Sequence, residues 1–528
     1  MPTETICTLL SDSAIQFGDK PALITDKRSL SFQELDTYAD AMACALAARG
    51  VRKGDRVTIY IPNGWEWIVS YYGALRAGAV VNPLNALLTV SEAKFAMSNC
   101  GASVVIATSD RICELATHGW PGSAMCVVSI GDSAPESAVS FDDMLSHSSG
   151  ARLSVAIGCD DLAAICYTSG TTGYPKGAML THGNIVFNTT MTARAHGRTS
   201  LDIVLSALPL AHVYGNVAMN AAISCGSTLV LHDRFDAEHM LESIELNRAT
   251  ILDGVPTMYY HLLDSADLDR RDTSSLRLCA VGGQAMPIAR MQEVETKLGC
   301  QMIELWGMTE LAGLGATMVM GGPKRQGTVG IALPHTEAKI VDPDDVSLTL
   351  PVGQAGELMI KGPMVMRGYY HNEAATRETI TADGWLHTGD IALIDAEHFI
   401  SIVDRKKDMI LSGGYNIYPS ELERVISSHP DVAMVGVGPV PDKIHGEHAK
   451  AYIVTKPGAK LEPDTIIEHC RAHLAAYKIP RAIQFVDDLP KTSTGKIMRR
   501  KLVELDALKG GDLLPPNRSS KPRPGSAP

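Results

Sequence analysis

From Asp19 onward short runs of β-branched and apolar residues alternate with longer helical stretches. Ala22-Leu23-Ile24 and Val57-Thr58-Ile59-Tyr60-Ile61 predict strands, and between them Ser31-Phe32-Gln33-Glu34-Leu35 opens a helix running to about Arg49. Ser31 followed three residues later by Glu34 is a capping-box pattern, and Gly50 supplies the stop. A second unit repeats the rhythm: a helix near Trp65 to Ala77 closed by Gly78, then strands around Val80 and from Val104 to Ala107. Residues 131 to 151 carry little signal and are expected to form a surface loop.

Farther along, Ile203 to Leu208 predicts a buried strand running into Pro209-Leu210-Ala211-His212-Val213-Tyr214-Gly215, and Ser227 to Leu231 another. Leu278-Cys279-Ala280-Val281 is a strand entering Gly282-Gly283-Gln284, a turn that suits close backbone approach to a flat ring as well as an ordinary exit into a helix. Residues 351 to 403 read as a compact β subdomain of short strands and turns. The five charges of Asp404-Arg405-Lys406-Lys407-Asp408 read as a solvated linker. Strands alternating with helices make the class α/β.

At 528 residues the chain exceeds one ordinary core, which predicts two or three domains. A net charge of −12, from 47 basic and 59 acidic residues without a dense Lys/Arg block, excludes nucleic acid as the expected partner. Eleven cysteines without a C-x-x-C pair read as reduced, mostly buried thiols. Residues 1 to 17 lack the basic start and apolar run of a secretory signal, and no later run is long and apolar enough to span a membrane, so a cytoplasmic protein without integral membrane association is expected. Residues 511 to 528, with five prolines, are expected to be disordered.

The chemistry concentrates in Tyr167-Thr168-Ser169-Gly170-Thr171-Thr172-Gly173-Tyr174-Pro175-Lys176-Gly177, four small hydroxyls, three glycines and a lysine between apolar segments. Glycines admit an anion to the backbone, hydroxyls donate, and the lysine brings charge, although a flexible surface turn has the same composition. The lysine follows proline and precedes glycine, so this is not the nucleoside-triphosphate P-loop. Leu305-Trp306-Gly307-Met308-Thr309-Glu310 combines an aromatic face, a hydroxyl and a carboxylate able to hold Mg²⁺; a Thr-Glu pair also starts helices. Thr388-Gly389-Asp390 offers a carboxylate that accepts from two hydroxyls at once, or a turn aspartate. Val435-Gly436-Val437-Gly438-Pro439 lacks the third glycine of a dinucleotide fold, and His445 with His448 reads as a solvated turn rather than a metal site.

Together these strings resemble the acyl-adenylate-forming superfamily of acyl-CoA synthetases, non-ribosomal adenylation domains and firefly-type luciferases, over about residues 15 to 505 with the motifs in the family's order, and most resemble the fatty acid and 4-coumarate:CoA ligase branch. The resemblance implies a large N-terminal domain, residues 1–404, of two βαβ-type sheet subdomains plus a small β subdomain, hinged to a smaller mobile α+β C-terminal domain, residues 405–510. It implies that Thr168, Ser169, Gly170, Thr171, Thr172 and Lys176 hold the phosphates of ATP, and that Gly282, Gly283, Gln284, Trp306, Gly307 and Met308 wall the adenine site. By the same resemblance Thr309 is expected to meet the α-phosphate, Glu310 to hold Mg²⁺, and Asp390 to grip the ribose with help from Arg405. It further implies Lys407 as the pivot, Lys496 in Pro490-Lys491-Thr492-Ser493-Thr494-Gly495-Lys496 as the catalytic lysine, and His212 as the gating histidine. The resemblance also implies that Tyr214, Ala218 and Asn416 line the acid pocket with His212, and that Ser412, Gly413 and Gly414 pass the arm of CoA. Trp306 departs from the tyrosine common among relatives; stacking on the base is expected to survive above a smaller pocket.

The implied activity is an ATP-dependent acid:CoA ligase working through an acyl-AMP. Neither His212 to Gly226 nor Leu311 to Thr317 contains Arg, Lys or Asp, which disfavours dicarboxylates and amino acids and leaves a medium or long fatty acid, then an aryl acid. An acyl-AMP ligase serving a carrier protein and a non-catalytic sensor of acyl groups or nucleotides are the alternatives, and a homodimer stays open.

Overall fold

The computed structural model describes residues 5 to 507 except 120–123, 125, 132–137, 147–151, 169–174, 413–414, 443–445 and 492–496. Two compact units divide at Ile402/Val403.

In the first unit a nine-stranded sheet has a parallel centre, Thr228–Leu231, Ile203–Ser206, Ile251–Gly254, Leu278–Val281 and Gln301–Met308 in spatial order. An eight-stranded sheet has a parallel centre around Arg56–Tyr60 and carries the antiparallel pair Leu162–Thr168 and Lys176–Thr181 toward one edge. One core cluster draws side chains from both sheets, among them Ile59, Ile106, Leu229 and Ile303, with the intervening helices Trp65–Arg76 and Val213–Ser224. Separate clusters cover the far face of each sheet. Leu278–Val281 shows why such strands read as unbroken apolar runs: Leu278 and Ala280 enter the shared core while Cys279 and Val281 enter the outer one.

The α/β architecture expected from the strand and helix rhythm is present. The helix Phe32–Ala48 starts at Ser31, whose side chain accepts from the Glu34 N–H while Glu34 caps Ser31 in return. Two expectations need correction. The stretch taken for a surface loop contains a short strand, Val139–Ser140, and a helix, Phe141–Ser146, anchored by buried Phe141 and Met144; two apolar residues three apart are too weak a period to read without their partner surface, such as the Trp65 ring 5.4 Å from Phe141. The β subdomain of residues 351 to 403 forms a four-stranded sheet with Glu337–Val341, but Gly368–Tyr369 leaves it to pair antiparallel with Met179 and Ala178 on the edge of the eight-stranded sheet. Of the eleven cysteines, six are buried, while Cys113 and Cys159 are exposed.

The second unit is a mixed sheet of Ile410–Ser412, Tyr415–Ile417, Val432–Asp442, Gly446–Thr455 and Ala482–Phe485, packed on helices Pro419–Ser427 and Pro463–His473 around Leu422, Ile426, Val437 and Ile466. His448 lies buried on a strand opposite Val440, not in a solvated turn, because the long hairpin continues through the position; His445 is outside the described residues. Arg499 gathers Asp404 at 2.6 Å, Glu423 at 2.6 Å and Asp408 at 3.2 Å, so the entry to this unit is tied to its last described segment. Among the described residues no helix is long and apolar enough to cross a membrane.

Candidate active site

The strands Leu162–Thr168 and Lys176–Thr181 pair antiparallel with Thr168 opposite Lys176, so the Gly/Ser/Thr stretch joins two strands of a hairpin. Ser169, Gly170, Thr171 and Thr172 lie outside the described residues. Gly177 has a local cause, since a Cβ there would sit 2.7 Å from Ile165 Cγ2 on the paired strand.

Lys176 Nζ stands 5.2 Å over the ring of Tyr369, and the Tyr369 hydroxyl donates to Glu310 Oε1 at 2.7 Å. Burial first, then the Glu310 charge, pushes the Tyr369 phenol well above its ordinary pKa, which keeps its proton available to the carboxylate. Sequence reasoning missed Tyr369 as a site residue. Its cue is the antiparallel pairing of Gly368–Tyr369 with the lysine strand, which is invisible in one dimension.

Glu310 is buried on the short 3₁₀ turn Thr309–Leu311, which follows the strand Gln301–Met308, and Thr309 is half-buried beside it. The chain then reverses through Ala312, at φ +54°, and Gly313, at φ +141°. A Cβ on Gly307 would lie 2.0 Å from the Gly313 carbonyl oxygen, so Gly307 is required by close approach of the two strands. Asn188, also missed, pins this reversal: its amide donates to the carbonyls of Leu311 at 2.9 Å and Leu314 at 2.7 Å and accepts from Leu314 N–H at 3.1 Å. Buried and fully engaged, it positions Glu310 from the far side of the turn.

Trp306 is 8 % exposed and its indole N–H donates to Asp390 Oδ2 at 2.8 Å. The ring lies over Gly315 so closely that a Cβ there would be 2.4 Å from Cζ3. Asp390 is 2 % exposed; its own N–H donates to Thr388 Oγ1, which donates in turn to the Leu358 carbonyl. The indole is therefore clamped by its edge to the carboxylate expected to take the ribose. Gly282 fits against Leu305, whose Cδ1 would be 2.2 Å from a Cβ, and Gly283 takes φ +90° beside half-buried Gln284. Leu305 precedes Trp306, so the glycine turn and the Trp306 to Glu310 segment meet directly. Met308 is half-buried at the strand's end. Glu304, not singled out in the sequence, is 5 % exposed opposite Val281, and burial pushes its carboxyl up to about 7.

His212 follows the strand Ile203–Ser206 at a distance, as the N-cap of the helix Val213–Ser224 rather than the strand's last residue; its Nδ1 accepts from Tyr214 N–H at 3.3 Å. Gly215 is demanded by the Pro209 carbonyl oxygen, 2.3 Å from where its Cβ would be. Tyr214 is buried with its hydroxyl donating to the Ala280 carbonyl at 3.1 Å, and Ala218 is buried one turn on. Asp253, the register partner of Ala280, is fully buried against Arg198, whose Nη2 reaches both of its oxygens at 2.7 and 2.9 Å. These two charges came from outside the stretches on which the sequence argument about the acid rested.

In the second unit, Arg405 ends the strand Ile400–Arg405, Lys407 is exposed on the turn Lys406–Asp408, and Ser412 is buried at the end of Ile410–Ser412. Asn416 occupies the strand Tyr415–Ile417, opposite Leu411. Gly413, Gly414 and Lys496 lie outside the described residues, the last between the bridged Lys491 and Ile497.

Residues 10–370 match the AMP-binding enzyme family and residues 421–496 the AMP-binding enzyme C-terminal domain. The chain belongs to the AMP-binding enzyme family. Its sequence is 35% identical over 539 residues to the long-chain-fatty-acid–CoA ligase of Bacillus subtilis (strain 168), covering 96% of this chain and 95% of that one. It is 34% identical to a ligase of Mycobacterium tuberculosis (strain ATCC 25618 / H37Rv) named for 3-[(3aS,4S,7aS)-7a-methyl-1,5-dioxo-octahydro-1H-inden-4-yl]propanoyl:CoA, over 95% of this chain and 99% of that one. Among solved structures, the anthranilate CoA ligase AuaEII with anthranoyl-AMP superposes with a TM-score of 0.91 at 29% identity, covering 96% of this chain and 98% of that one. ATP-bound MatB from Rhodopseudomonas palustris gives 0.86 at 32% identity, over 95% and 99%. This member of the family is an AMP-forming acid–CoA ligase that uses ATP and CoA.

Proposed function

We propose that the ligase activates an apolar monocarboxylic acid, a medium or long fatty acid before an aryl acid. The observation that carries this is the helix Val213–Ser224, buried at every position except Asn216 and Ser224, while the adjacent Asp253 and Arg198 neutralise each other. A second charge on the acid would meet no uncompensated partner there, and an unpaired buried charge is costly. The long-chain-fatty-acid relative supports the same reading.

In this reading the acid's carboxylate attacks the α-phosphate of ATP, pyrophosphate leaves, and the thiolate of CoA then displaces AMP to give the thioester. Carboxylate is a poor acyl donor because oxide would have to leave, and AMP corrects that. The protein's task is to meet the charge that grows on the phosphates. Lys176 and Thr309 face that charge, Asp390 takes the ribose hydroxyls with Arg405, Gly282 to Gln284 and Trp306 wall the base, and Lys496 supplies the catalytic cation with the second unit turning at Lys407. His212, Tyr214, Ala218 and Asn416 line the acid pocket, and Ser412 to Gly414 admit CoA. Glu310 is the residue that would hold Mg²⁺: a buried carboxylate is a hard oxygen donor suited to that ion, which neutralises phosphate charge when bound.

One observation favours a second reading. Arg198 Nε and Nη1 have no hydrogen-bond partner although the residue is 6 % exposed, so a neutral keto or hydroxyl group at the far end of the acid would find a donor there. The test is pyrophosphate release with MgATP across fatty, cinnamic, benzoic, keto-substituted and dicarboxylic acids, with and without CoA. CoA-dependent turnover of fatty acids above the others supports the first reading. Preference for the keto acids moves the assignment to the second, and preference for dicarboxylates overturns both.

A further inference from the structure

A cluster outside the candidate active site has the makings of a metal centre. The strand Pro21–Ile24 pairs parallel with Thr228–Leu231, with Ile24 opposite Val230. Continuing two residues beyond each places Asp26 and His232 side by side at the same end of the sheet. The helix Ala237–Asn247 then begins at its N-cap Asp236, which accepts from His239 N–H and sets His239 in the first turn facing the same point. The rings of His232 and His239 cross edge to face with centroids 4.2 Å apart. One ligand atom from each of the three residues lies within 4.8 Å of the other two.

The distances match the edges of a small cation's coordination shell as well as an ion pair. Asp26 Oδ1 is 3.3 Å from His232 Nδ1 and 3.5 Å from His239 Nε2. A tetrahedral ion with ligands at about 2.0–2.1 Å has ligand–ligand edges of roughly 3.3–3.4 Å. Apart from that approach to Asp26, His232 Nδ1 has no hydrogen-bond partner, although the residue is 3 % exposed. Its other nitrogen is held: Nε2 meets Ser243 Oγ at 2.8 Å, which fixes the ring and, with the Ser243 hydroxyl accepting, leaves the Nδ1 lone pair aimed at Asp26 and His239.

We propose that Asp26, His232 and His239 form a site for a divalent transition-metal ion of the zinc type, with Ser243 as its supporting hydrogen-bond partner. Two imidazoles and one carboxylate are borderline ligands that suit zinc over calcium or magnesium. Asp26 and His239 are each about half exposed, so the fourth position opens to water. The ion would tie the turn after Ile24 to the start of the helix Ala237–Asn247, joining segments more than 200 residues apart in the chain.

The test uses the full chain without nucleotide, stripped of metal, titrated with Co²⁺ and then with Zn²⁺. The expected result is one Co²⁺ with the ligand-field absorption of a four-coordinate nitrogen and oxygen site, displaced by Zn²⁺. That absorption should disappear in Asp26→Asn and in His239→Ala. Ser243→Ala should keep the site but weaken zinc binding about 10- to 100-fold. Asp26 and His239 are exposed enough that both variants should retain the thermal unfolding of the metal-free parent, which separates loss of the site from loss of the fold. Absorption dominated by thiolate charge transfer and unchanged in both variants would place the metal on cysteines and overturn the proposal, as would no cobalt absorption in the parent.

Discussion

The indole N–H of Trp306 donates to the carboxylate of Asp390 at 2.8 Å across 84 residues of chain. Both groups are buried, and the ring is held from its other side by Gly315. If Trp306 walls the base and Asp390 grips the ribose, as proposed, this bond couples the two. Trp306→Phe keeps an aromatic ring and removes the donor. A lost hydrogen bond to a charged group costs about 1.5–3 kcal/mol, so the KM for ATP should rise about 10-fold or more with kcat much less affected. Steady-state kinetics over ATP concentration checks this; an unchanged KM would show that Thr388 suffices to hold Asp390.

Gly315→Ala tests the same contact from the opposite side. The new methyl would stand 2.4 Å from the indole and must displace it, at about 1–3 kcal/mol of stability for an overpacked site. Because both changes act through one ring, the double variant with Trp306→Phe should show a non-additive effect on the ATP KM. Full additivity would mean that the ring moves without disturbing Asp390.

Tyr369→Phe removes the donor to Glu310 and leaves the ring under Lys176. If Glu310 holds Mg²⁺, the carboxylate loses an orienting partner, and the Mg²⁺ concentration for half-maximal activity should shift by about 10-fold. Titration of activity with Mg²⁺ at fixed ATP reads this directly. A fall in activity that excess Mg²⁺ leaves untouched would assign Tyr369 to the phosphates instead.

Glu304 carries a pH signature. Burial raises its folded pKa to about 7 against an ordinary 4.5, so below 4.5 it costs nothing; between the two values the unfolded chain ionises first and stability falls as pH rises, reaching its full loss above about 7. At about 1.4 kcal/mol per pKa unit the loss is on the order of 3–4 kcal/mol. Glu304→Gln should therefore be more stable than the parent at pH 8, with the gap closing toward pH 5. Denaturant unfolding at both pH values checks it, and a gap independent of pH would point to packing as its origin.

For Lys496→Ala we expect adenylation to slow by about 10²- to 10³-fold while thioester formation from supplied acyl-AMP survives. The two half-reactions assayed separately decide; equal loss in both would remove the case for a second unit that turns between them.

What is local was legible in the chain. The capping box at Ser31, the strand entering Gly282, and the hydroxyl, glycine and lysine string each express chemistry carried by neighbouring residues, and a linear pattern records that fully. Segments with weak period were not: Phe141–Ser146 becomes a helix only because Phe141 and Met144 find a core to enter. The sequence by itself determined the α/β alternation, the adenylate-forming motifs and the family they imply. Only the tertiary structure decided which of these groups touch. Strand register sets Tyr369 beside the lysine strand and Asp26 beside His232, and a hairpin without side chains at Gly307 and Gly315 lets Trp306 reach Asp390. Such contacts join residues far apart in the chain, and they depend on how strands align and how closely backbones approach, quantities that no single stretch of sequence contains.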